Sequence, residues 1–140
     1  MPEYTYAKGR IAESIQFISQ EMCEFDAEYS RITWEEYRTD TKKQKLIDRT
    51  VENILNALIE ICGTVLAEKG ISADSYAQTL SLAAKNAGLS AKQAQALGQL
   101  AFHRNRLVHR YLDLKWQTIM VYKKQISQIK SLLNSLVNKK

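Results

Sequence analysis

A chain of 140 residues with 45% hydrophobic content can close one compact domain around a real core. Its net charge of +5 and pI near 9.2 suit an anionic partner, nucleic acid among them, without the excess of a chromatin-type protein. No apolar run approaches the roughly 20 residues of a membrane span, and no basic segment leads into an apolar one at the N-terminus. The expectation is a cytoplasmic protein without a membrane partner. Cys23 and Cys62 lie far apart and on apolar helix faces, so both read as small buried hydrophobes rather than as a disulfide or a metal site.

The only proline is Pro2, glycines are few, and neither alternating β-branched runs nor Asn-Gly or Asp-Gly turns occur. The fold class is therefore all-α, a single domain over residues 1–140. The first helix spans about Tyr4 to Tyr29, with Ile11, Ile15, Ile18, Met22, Phe25 and Tyr29 in one stripe and Gly9 weakening its first turn. Thr33-Trp-Glu-Glu36 matches a capping box, which places a short helical turn there. Asp40 then caps a long helix whose stripe is Ile47, Val51, Ile54, Leu58, Ile61 and Val65, ended by Gly70. A less regular helix with Tyr76, Leu80 and Leu82 to Ala84 follows Asp74 or Ser75. Ser90-Ala-Lys-Gln93 is a second capping box, and the helix it opens turns Ala94, Leu97, Ala101 and Val108 inward. Asp113 marks a break before a last helix, Lys115 to Val137, with Ile119, Tyr122, Ile126, Ile129, Leu133 and Leu136 on one face. Three long striped helices with short connections make an up-and-down bundle of four to five helices.

The stretch that packing does not explain is Ala101-Phe-His-Arg-Asn-Arg-Leu-Val-His-Arg-Tyr111, which holds both histidines of the chain and three arginines. Read as the last turns of its helix, it puts Asn105 and His109 on one face and Arg104 and Tyr111 on a neighbouring one. His109 near a helix C-terminus would favour the imidazolium form and could act as acid or base near neutral pH. Arg104 can grip a phosphate with its planar fork, and Asn105 can orient the imidazole or bond the phosphate. Such a set fits phosphodiester transfer without a metal, on RNA, which carries its own nucleophile in the 2′-hydroxyl. The plainer alternative is a solvated arginine face with His109 capping a helix. His103 reads as structural or RNA-facing, and Arg106 and Arg110 as RNA-binding. Glu35-Glu36 is better explained by capping than by acid/base pairing. Lys42, Lys43 and Lys45 form a solvated face, and Trp34 and Trp116 are core or interface aromatics.

Arg104-Asn-Arg-Leu-Val-His109-Arg-Tyr111 resembles the R-x-x-x-x-H-x-Y motif of the HepT toxins, a branch of the HEPN superfamily, with the polar Asn105 directly after the arginine. The likeness extends to the N-terminal helix, the Trp-Glu-Glu-Tyr segment, the helix through Lys45 to Leu58 and the helix after the motif. It implies a HEPN-like bundle and a metal-independent endoribonuclease toxin with no cofactor, in which Arg104 and His109 of two protomers face a shared cleft of a homodimer. It also implies an MntA-like minimal nucleotidyltransferase antitoxin that transfers AMP to the motif tyrosine, here Tyr111. A bulky anion there would block RNA by volume and by charge. The alternative within the same superfamily is a non-catalytic subunit that binds nucleotide or RNA for such a nucleotidyltransferase. A helical assembly module is the third reading.

Overall fold

The computed structural model describes residues 2–108 and 110–138, with side chains described from Gly9 to Val137 apart from His109. Among the described residues there are six α-helices and no strand: α1 (Pro2–Tyr29), α2 (Trp34–Thr39), α3 (Thr41–Glu68), α4 (Tyr76–Asn86), α5 (Ala91–Arg104) and α6 (Leu112–Asn138). The all-α bundle read from the sequence is the fold, with α2 as a short element between two of the long helices.

The long helices form because their apolar residues recur every three or four positions and each stripe finds a partner. Helix α3 lies at the centre, touching all five other helices. Its Ile47, Val51, Ile54 and Leu58 are fully buried, each burial worth roughly 1.5–3 kcal/mol before the cost of ordering. Against it run Ile18, Met22, Phe25 and Tyr29 of α1, and Phe25 meets Tyr122 of α6 edge to face at 4.9 Å. Contrary to the expectation that no apolar run is long enough, α3 could by length and composition cross a membrane; 61% of that apolar window is buried inside the protein, and the bundle accounts for its apolarity.

Caps fix where the helices start and stop. Asp40 accepts a hydrogen bond from the Lys43 backbone at 3.0 Å, Ser75 does the same for Gln78, and Ser90 with Gln93 completes a reciprocal box. At Thr33 only half of the expected box forms: the hydroxyl accepts from Glu36 N–H, while the Glu36 carboxylate turns to the Lys43 ammonium, a charged donor that outcompetes the backbone. Gly70, at φ +70°, closes α3 with bonds from Gly70 to Ala67 and from Ile71 to Leu66.

Helix α1 runs through Gly9 without interruption. Cys62 is buried as expected, with its thiol pushed up to about 12 by burial, but Cys23 is exposed. It follows Met22 by one residue and so stands about 100° off the buried stripe.

Candidate active site

Helix α5 carries the motif to its place through a close approach. Its buried face is Ala94, Leu97, Gly98, Leu100 and Ala101. A Cβ on Gly98 would lie 2.9 Å from the Ala77 carbonyl oxygen, so only glycine lets α4 come this near. That contact brings Tyr76, the first residue of α4, beside the C-terminal end of α5.

The α-helix ends at Arg104, and Asn105–Val108 continue as a 3₁₀ turn. The motif is therefore not the regular last turns of a helix, and face-sharing between Asn105 and His109, or Arg104 and Tyr111, cannot be counted at α-helical spacing. A 3₁₀ turn rotates about 120° per residue rather than 100°, which redirects the side chains. Leu107 takes the inward position at 4% exposure, and Val108, expected inside, is 71% exposed. The Thr118 hydroxyl of α6 donates to the His103 carbonyl at 3.1 Å, satisfying an acceptor at the end of α5. Helix α6 begins at Leu112, so the break precedes Asp113, which lies in the first turn where its charge favours the helix dipole.

Arg104 is half-buried and held from three sides. Nη1 donates to the Asn56 side-chain oxygen of α3 at 2.8 Å, and Nη2 donates to that of Asn105 at 3.1 Å. The guanidinium carbon stands 5.2 Å from the centre of the Tyr76 ring, within cation–π range. Asn56 and Asn105 each take one of the five N–H groups, which leaves three for an anion. All these partners are neutral, so the full positive charge of Arg104 is retained.

Arg106 is built the same way: Nη1 donates to Gln117 of α6 at 3.1 Å and lies 3.4 Å from Nδ1 of His103. Burial first, and Arg106 second, push His103 below the ordinary histidine value, so its ring is neutral at neutral pH and adds no charge to the site. Arg110 and Tyr111 lie outside the helices and are exposed, Tyr111 to 66%; its carbonyl accepts the first backbone bond of α6 from Lys115. His109 lies outside the described residues. The motif thus presents Arg104, Asn105, Arg106, Arg110 and Tyr111 around one helix end. Asn56 and Tyr76, which sequence reasoning did not single out as site residues, complete the surroundings of Arg104. A signal for Asn56 did exist: with Asn53 it places an amide, a poor helix former, in the helix apolar enough to pass for a membrane span.

A second polar group sits nearer the start of α3. Buried Asp48 accepts from the Tyr37 hydroxyl at 2.6 Å and pairs with Lys115 at 3.5 Å. Burial pushes the Asp48 carboxyl up, opposed by its bonds to Tyr37 and Lys115, and burial with the Asp48 contact pushes the Tyr37 phenol far above its usual range. Trp116 stacks obliquely between Tyr37 at 5.2 Å and Trp34 at 5.8 Å, as expected of core aromatics, although Trp34 keeps an exposed edge. Glu35 binds Arg38, and Glu36 binds Lys43, so these acids serve ion pairs at the surface. Between α1 and α3 runs an open groove of about 370 Å³. Its lining includes Asn56 but also Glu13 and Glu60, which makes it a poor surface for phosphate. Among the described residues, no three His, Cys, Asp or Glu side chains are grouped as metal ligands.

A family model described as ribonuclease HepT-like matches residues 11–136. The chain belongs to that family. The match spans α1 from Ile11 through α6 to Leu136 and includes the whole arginine-rich motif. Searches of curated proteins and of solved structures find no match to this HepT-like chain.

Proposed function

We propose that this HepT-like protein is a metal-independent endoribonuclease toxin acting in the cytoplasm as a homodimer. The observation that carries the reading is Arg104, held by neutral partners at an exposed helix end with three N–H groups free, inside a motif whose family model is named for a ribonuclease. In this mechanism the 2′-hydroxyl of RNA attacks the adjacent phosphorus and the bond to the 5′-oxygen breaks, leaving a cyclic phosphate and a 5′-hydroxyl. Arg104 binds the phosphate oxygens and stabilises the charge that grows on them. His109 takes or supplies the proton, Asn105 fixes the Arg104 fork, and Arg106 and Arg110 hold flanking phosphates. His103, being neutral, serves to place Arg106 rather than to bind RNA by charge.

Phe102, Val108 and Tyr111 expose apolar surface around these arginines, which favours burying them between two copies of the motif. Exposure of Tyr111 also leaves its hydroxyl open to AMP transfer by an MntA-like nucleotidyltransferase antitoxin: the phenolic oxygen attacks the α-phosphorus of ATP and pyrophosphate leaves. The second reading, a non-catalytic subunit of such an enzyme, would use the same basic surface to bind without cutting.

The test is cleavage of a single-stranded RNA by the purified protein, its Arg104→Ala variant and its His109→Ala variant, with EDTA present throughout. Loss of ~10³-fold or more in either variant is expected, with helicity unchanged. An intact wild type that binds RNA and leaves it whole would favour the binding subunit.

A further inference from the structure

The ribonuclease reading assigns the chemistry to residues inside the motif, but two of the three groups that orient Arg104 come from outside it. Asn56 stands 48 residues earlier, just past the middle of α3, and spends its side-chain oxygen on Nη1 at 2.8 Å. Tyr76 is 58% exposed, too open to be a core residue, yet its ring lies along the Arg104 guanidinium at 5.2 Å. Its place there depends on the Gly98–Ala77 approach that sets α4 against α5. Without these two, Arg104 would be a long flexible side chain leaving a helix end, held only by the adjacent Asn105.

We infer that Asn56 and Tyr76 are positioning residues for Arg104, fixing the plane and direction of its free N–H groups toward a phosphodiester of RNA; this rests on the ribonuclease reading above. The amide at position 56 matters as much as the bond it makes. A carboxylate there would hold Arg104 equally well, yet it would neutralise the charge that a phosphate must find.

The chemistry predicts opposite movements of stability and activity, which a structural role would not give. In Asn56→Asp the new ion pair leaves the thermal midpoint unchanged or higher, while kcat for a single-stranded RNA oligonucleotide falls ~100-fold. In Asn56→Ala the fork is loosened, and kcat falls ~10-fold with a smaller change in KM. Tyr76→Phe keeps the ring and wild-type kcat, whereas Tyr76→Leu loses ~3-fold. The Tyr76 pair decides the matter should Asn56→Asp fail to fold, because position 76 is exposed. If the wild type cleaves RNA and Arg104→Ala does not, while Asn56→Asp, or failing that Tyr76→Leu, keeps wild-type kcat, the positioning roles are overturned and the ribonuclease reading stands. If the wild type leaves RNA whole, or Arg104→Ala cleaves as well as the wild type, that reading fails and takes this inference with it.

Discussion

Helix α3 offers a polar side chain to a cation in two places, Asp48 to Lys115 and Asn56 to Arg104. At the first, a buried carboxylate meets an ammonium and a phenol donates to the same carboxylate, so the charges cancel and the group closes on itself. At the second, the partners are an amide from α3, an amide next in the chain and the face of a tyrosine ring, and the charge stays open to whatever arrives from solvent. One arrangement locks α2, α3 and α6 together; the other keeps a cation ready. The choice between Asp and Asn at two positions on one helix separates a closed ion pair from a cation left without a counter-charge.

The largest effect that would break this contrast is on stability at the first place. Asp48→Ala leaves the Lys115 ammonium and the Tyr37 hydroxyl without their partner in a buried setting, and should cost about 3–5 kcal/mol in urea unfolding. Asn56→Ala, half-buried and with one bond to lose, should cost about 1 kcal/mol in the same measurement, comparable to the ~10-fold loss of kcat that the proposed ribonuclease should show. Next in size is Gly98→Ala. The added methyl meets the Ala77 carbonyl, and backbone cannot yield as a flexible side chain would, so about 1–3 kcal/mol of stability should be lost. Because α4 must move, cleavage should fall as well, whereas the fluorescence of Trp34 and Trp116 beside Tyr37 should stay as in the wild type in the folded protein.

The smallest effect concerns Arg106, which like Arg104 has neutral partners only while His103 is uncharged. The folded-state value of His103 is lowered from 6.5, so on acidification the unfolded chain takes up this proton before the folded one does. Stability present above pH 6.5 is therefore lost as the pH falls from that value through the lowered one. Urea titrations across that window should show a shallower decline for His103→Gln than for the wild type; parallel curves would remove His103 from the pH response.

What could be read from the sequence followed from periodicity and local chemistry. The stripes of α1, α3 and α6, the caps at Asp40 and Ser90 and the stop at Gly70 each depend on residues a few positions apart. Local pattern fails where geometry changes along the chain or where partners are distant. At α-helical spacing past Arg104 Val108 would face inward, but the 3₁₀ turn gives that position to Leu107 instead. Cys23, expected inside, is exposed because it neighbours the stripe rather than belonging to it. The arginine cluster stood out by composition alone, but Asn56 and Tyr76 reach Arg104 only through the packing of α3 and α4 on α5, which no local pattern announces.

The hold on Arg104 also changes when its freedom is given up. An unrestrained arginine loses about 1.5–2 kcal/mol of rotamer entropy when it is fixed. Here three neighbours have already restricted the side chain during folding, so that loss falls on the folding equilibrium rather than on the encounter with an anion. In the proposed ribonuclease, phosphate binding would then begin from a nearly rigid fork, with less entropy left to lose at each capture and release.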